Sequence, residues 1–251
     1  MNGRRTALIL GGVIAMLVST DGVAKKSKIP AREKPVGEPT VIFEGDPTLL
    51  TSTVQVVLNV GSADDPAGKA GMTSLMADML LRGTRKKSRT AFQSAVERLG
   101  GSLGVQASHD SVVIQGKVIK ENTDAFLDLL GEALATPAFD KNEFAALKRE
   151  TLAGIAHWKN SNNRLAAIAV RRELFRGTPL EYGVDGGLKS IAKIQLNDVV
   201  RFYNEAFNRA NFVFGMAAPV TEASAKEKFY KLWSKFPEGQ RRQRPTVAPR
   251  V

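Results

Sequence analysis

Between Met72 and Leu80 the apolar residues Met72, Leu75, Met76, Met79 and Leu80 recur at i, i+3, i+4, i+7 and i+8. That spacing predicts a helix with one apolar stripe against a core, closed by Gly83. Just upstream, Val54, Val56, Leu58 and Val60 alternate with polar Gln55 and Asn59, the period of a strand with one buried face. Strands are therefore expected over 41–44 and 52–61, around a Gly45-Asp-Pro47 turn, and the second delivers the chain to the helix.

Downstream, Ser88 or Thr90 is expected to cap a helix through Leu99, stopped by Gly100-Gly101. Segments 103–108 and 111–119 predict a hairpin over His109-Asp110, with Val112, Ile114 and Val118 on one face. A helix over 122–135 turns Phe126, Leu127, Leu130 and Leu134 inward and ends before Pro137. Asp140 and Glu143 form a capping-box pattern. They open a long helix to about Trp158, striped by Phe144, Leu147, Thr151, Ile155 and Trp158. A further helix over 164–176 is expected to bury Leu165, Ile168, Ala169 and Phe175. Then come a helix over 197–207, a strand over 211–216 and a Thr221-capped helix to about Phe236.

Composition narrows the chemistry. The 251 residues hold no cysteine and two histidines, His109 and His157, so a disulfide framework, a thiol nucleophile and a Cys-ligated metal are excluded. No His-x-x-x-His pair exists anywhere in the chain. His109 reads as a turn residue and His157, beside Trp158, as a partly buried helix residue. The formal net charge is +11, but the basic residues are scattered and lack the aromatic interleaving of a nucleic-acid surface. No nucleic-acid partner is expected.

The first residues read as an address. Arg4 and Arg5 precede an apolar run from Thr6 to Thr20, and Gly22-Val23-Ala24 supplies small residues before Lys25. This is the order of a secretory signal peptide, so export to the periplasm or another extracytoplasmic space is expected, with cleavage after Ala24. The alternative is an uncleaved anchor, since the run lies near the lower limit for a membrane span. Membrane association is expected only in that case. The domain plan is a signal peptide over 1–24, a linker over 25–40, a folded domain over 41–236 and a disordered basic tail over 237–251.

One stretch carries a resemblance. The frame Gly61-Ser-x-x-Asp-Pro66-x-Gly68-Lys69-x-Gly71, followed by a helix ending Met79-Leu-x-x-Gly83-Thr84, resembles the insulinase/pitrilysin metallopeptidases, family M16. Segment 179–191 is similar to that family's His-Pro-Tyr-Gly loop, and Asp198, Val199, Phe202 and Tyr203 match its Asp-Leu-x-x-Phe-Tyr helix. The resemblance implies an α+β fold, an M16-like (LuxS/MPP-like) sandwich of an antiparallel-rich sheet covered by helices.

Active members carry His-x-x-Glu-His on the first helix. Laid on this sequence, the two His positions hold Ser74 and Asp78 and the Glu position holds Ala77. Hydrolysis by zinc needs imidazole ligands and a carboxylate that takes a proton from the bound water, so no catalytic residue and no metal ligand is expected here. Asp78 reads as an exposed residue paired one turn on with Arg82. The family's third ligand, a Glu on the long helix, also has no counterpart after Glu150, unless Glu150 itself takes that place.

The resemblance further implies a strand beside the first helix whose free edge accepts a peptide. Leu103, Gly104, Val105, Gln106, Ala107 and Ser108 occupy it, and edge pairing uses backbone groups and needs no metal. The family works with paired units, so a second M16-like subunit or domain is expected as partner, with zinc only in that partner. The expectation is an exported, non-catalytic, peptide-binding family member. Two alternatives stand beside it: an active zinc endopeptidase completed by a partner, and a structural assembly protein or truncated remnant.

Overall fold

β2 (Thr51–Leu58) buries Ser52, Val54, Val56 and Leu58 and leaves Thr53 and Gln55 in solvent. In this computed structural model residues 38–241 are described. The expected signal peptide, most of the linker and residues 242–251 lie outside them. β2 pairs antiparallel with β4 (Val112–Ile119) and with β5 (Phe212–Ala218). β3 (Ser102–Ala107) pairs antiparallel with β4, and β1 (Thr40–Gly45) runs parallel to β5. The order is β1-β5-β2-β4-β3, a mixed sheet with one parallel pair at one edge and β3 at the other.

Helices cover one face of this sheet. Val54, Val56, Leu58, Val112, Ile114, Phe214 and Met216 point into a core shared with the helices. Gln55, Gln115 and Lys117 stand exposed on the other face. In α1 (Met72–Met79) the predicted stripe of Met72, Leu75, Met76 and Met79, with Leu80 just past its end, is buried. Burying each such side chain contributes about 1.5–3 kcal/mol. α1 packs against β3, α4 (Lys141–His157) and α7 (Leu196–Ala206).

α2 (Arg89–Arg98) is capped by Ser88, whose hydroxyl accepts from Ala91 N. α3 (Thr123–Ala135) buries Phe126, Leu130 and Leu134. α4 buries Phe144, Leu147 and Ile155, capped by Asp140 through Asn142 N and Glu143 N. α8 (Glu222–Trp233) is capped by Thr221.

Three readings of the sequence need correction. α5 (Asn162–Leu174) buries no residue: Leu165 and Ala169 are exposed, and Ile168 and Phe175 are only half-buried. Its apolar residues are spread round the helix, so no single stripe turns inward. His157 is exposed, because it lies where α4 passes beyond the core. Finally, residues read as loop form α6 (Leu188–Lys193). This helix is closed from outside its own sequence, since Lys148 Nζ on α4 donates to the carbonyls of Ala192 (2.8 Å) and Ile194 (2.7 Å), a cation at a helix C-terminus.

Of the expected tail, 237–241 are described and form no helix or strand, though the Pro237 carbonyl accepts from Arg209 N at 2.9 Å.

Candidate functional site

α1 is positioned from its N-terminus. The carboxylate of Asp65 accepts from Gly71 N (2.7 Å), Thr73 N (2.8 Å) and Thr73 Oγ1 (2.6 Å), satisfying donors that the first turn of a helix leaves free. Burial nevertheless pushes Asp65 up to about 6, with those hydrogen bonds acting in the opposite direction. Two glycines at the entry to α1, Gly71 and Gly186, have a steric reason. Gly71 sits at φ 95°, and a Cβ there would lie 2.4 Å from Ile191 Cδ1. A Cβ on Gly186 would lie 2.1 Å from the Ala70 carbonyl oxygen. The same carbonyl accepts from Ser190 Oγ at 2.7 Å, and Lys69 pairs with Asp198 at 2.5 Å. Segment 183–190 and α7 are thereby clamped onto the start of α1.

The three motif positions fall on the side of α1 away from its fully apolar stripe, but they are not equally open. Ser74 and Asp78 are half-buried, and Ala77 is 1% exposed and belongs to the core. This corrects the reading of Asp78 as an exposed partner of Arg82. Burial raises the Asp78 carboxyl to about 6; Arg82 acts against this, and the charges of Asp185 and Glu150 act with it. Arg82 instead forms its ion pairs with α4, to Glu143 at 3.3 Å and to Glu150. Arg89 shares Glu143 at 3.4 Å.

Glu150 therefore stands beside α1, and Arg82 holds its carboxyl below the usual range. The proximity of Asp78, Glu150 and Asp185 depends on the helix-to-helix packing and on segment 183–190, which no local pattern reports. The described residues place no group of three or more His, Cys, Asp or Glu side chains for a metal. Neither motif position offers an imidazole, and Glu150 is already committed to a guanidinium.

The raised Asp78 carboxyl makes a stability prediction. Its folded value lies above the ordinary value near 4, so the native state holds the proton more tightly than the unfolded chain. Stability from this group is therefore full below about pH 4 and declines as pH rises through 6. Asp78→Asn should raise stability at pH 7.5 by about 1–2 kcal/mol, or roughly 2–6 °C in melting temperature. Thermal melts should show that gain vanish at pH 4.

β3 lies against α1 and forms the sheet edge. The pair closing its hairpin, Ser108 N to Ser111 O at 2.7 Å, sets which backbone groups face which way. By alternation, Ser102, Gly104 and Gln106 bond to β4, while Leu103, Val105 and Ala107 aim their N–H and C=O outward. No strand pairs with that outer side among the described residues. Past Ala107 the row is closed, because Ser62 N takes the Ser108 carbonyl (3.0 Å) and Ala63 N that of His109 (2.9 Å). The structure thus brings the predicted edge beside α1, with Ser108 as its stopper. Sequence reasoning missed the cap Asp65 and the Arg82 bridge; only the Asp65-Pro66 turn ahead of Gly71 was a local signal.

Comparison with known proteins agrees with this frame. The family model described as insulinase (peptidase family M16) matches residues 40–186. A protein of Helicobacter pylori named a non-peptidase homolog, YmxG, is 24% identical over 82% of this chain and 48% of its own length. An uncharacterized zinc protease of Rickettsia bellii is 24% identical over 80% of this chain and 49% of its own length. A solved peptidase M16 inactive domain from Pseudomonas fluorescens superposes with a TM-score of 0.80 at 23% identity, covering 85% of this chain and 52% of that one. The chain spans about half the length of these relatives.

Proposed function

From a chain that belongs to the insulinase family, peptidase family M16, we propose a non-catalytic member that binds extended peptides along β3. The observation that carries this reading is the pairing of an open strand edge at Leu103, Val105 and Ala107 with a motif face bearing Ser74, buried Ala77 and Asp78. A peptide strand gains main-chain hydrogen bonds at the edge. No group at those three positions supplies an imidazole for zinc or a general base at position 77. The similarity to a non-peptidase homolog and to an inactive domain supports the same reading.

A second M16-like unit is the partner in this proposal, a reading supported by similarity to chains named as subunits, of mitochondrial-processing peptidase and of the cytochrome b-c1 complex. Zinc, where present, resides in that partner. The Arg4-Arg5 start, the apolar run and Gly22-Val23-Ala24 support export to a periplasmic or extracytoplasmic space. The second reading, a zinc endopeptidase completed by its partner, draws on the similarity to the Rickettsia protein.

Fluorescence anisotropy with unstructured labelled peptides tests the proposal. Saturable binding unchanged by EDTA is expected, and it should weaken at least tenfold when alternate peptide nitrogens are methylated. Binding indifferent to backbone methylation would refute edge pairing.

A further inference from the structure

We propose that α5 is an arm latched to the β3–β4 hairpin by a Ser62–His109–Arg171 relay and released when His109 takes up a proton. This goes beyond peptide binding and holds whether or not a peptide occupies β3.

α5 needs a latch because burial does not hold it. None of its residues is buried, and Leu165, Val170 and Leu174 are 43%, 58% and 62% exposed. Beside the half-buried Ile168, its attachments are polar and cation–π contacts. The Arg164 guanidinium lies 3.9 Å above the Trp158 ring and 3.5 Å from Asp185, and Arg172 lies 5.7 Å from the Tyr182 ring centre. Arg171 makes the contact to the hairpin, with Nη1 2.9 Å from His109 Nε2.

The geometry dictates the state of the imidazole. A guanidinium has donors and no acceptor, so Nε2 must present its lone pair to Arg171. The ring proton then lies on Nδ1 and is donated to Ser62 Oγ, 2.8 Å away. A second proton turns Nε2 into a donor and sets two cations face to face, so the contact that joined the arm to the hairpin becomes repulsive. The groups facing the ring are Arg171 from α5, Asp110 from the hairpin turn and neutral Ser62 from the 3-10 turn Ser62–Asp64. Burial and Arg171 hold the ring below its ordinary 6.5, against Asp110. Release therefore belongs to mildly acidic conditions.

Hydrogen exchange read by mass spectrometry, corrected for intrinsic rates, tests the latch on the full chain at pH 7.5 and 4.5. β4 amides serve as the reference for the fold. The α5 amides should lose protection about tenfold relative to β4 at pH 4.5. His109→Gln, whose side-chain carbonyl still accepts from Arg171 and does not titrate, should abolish that dependence. Arg171→Gln should leave α5 weakly protected at both values. Unchanged α5 protection in the natural chain, the same acid loss in His109→Gln, or a loss shared equally by β4 would each overturn the proposal.

Discussion

Replacing Val105 with proline should weaken peptide binding at least tenfold and leave the domain folded. The Val105 N–H points away from β4, so proline removes no ladder hydrogen bond, and an edge strand is where a sheet tolerates proline. Its predecessor, Gly104, already lies in extended backbone within β3, as the residue before proline requires. What disappears is the central donor of the outward row, and the ring blocks close approach of an added strand. Peptide affinity should fall at least tenfold, about 1.4 kcal/mol or more, with a melting temperature close to that of the natural chain. Gln106→Pro is the matched control. Its N–H faces β4, so it should lower the melting temperature instead. Titration and melting of the two variants side by side separate an edge-binding site from one elsewhere on the molecule.

The second large effect is expected at Ala77. Restoring the glutamate of active relatives there is not a local exchange, because the position is 1% exposed and lies in the core formed by α1 with the sheet and α4. Four further heavy atoms must be accommodated, which by overpacking alone costs about 1–3 kcal/mol. The carboxylate must also be neutralised or hydrogen-bonded to stay buried. Ala77→Glu should therefore destabilise the domain by about 3 kcal/mol or more, close to 10 °C in melting temperature for a domain of this size. Chemical denaturation measures it directly. An unchanged midpoint would mean that position 77 opens to solvent and that the motif face is accessible after all.

These two positions also mark what the sequence could and could not disclose. The stripe of Met72, Leu75, Met76 and Met79 and the alternation of Val54, Val56 and Leu58 are local periodicities, and each is buried as the spacing required. The caps Ser88, Asp140 and Thr221 were legible for the same reason, since a cap acts within three residues. The depth of Ala77 was not legible, because it depends on elements packed over α1. The exchange of Arg82's partner from Asp78 to Glu143 and Glu150 is likewise tertiary, spanning 61 and 68 residues. α6 escaped notice because six residues give less than two turns of pattern and its C-terminal cap, Lys148, comes from another helix. In α5 apolar composition misled, as a helix rich in alanine and leucine forms with or without a core to face.

The central claim, that this family member holds peptides without cutting them, meets its most direct test in native mass spectrometry. The purified chain would be incubated with excess zinc and a mixture of unstructured peptides. The account predicts complexes that carry intact peptide, no zinc bound in stoichiometric amount and no cleavage products. Shortened peptides that accumulate with zinc and cease with EDTA would contradict it.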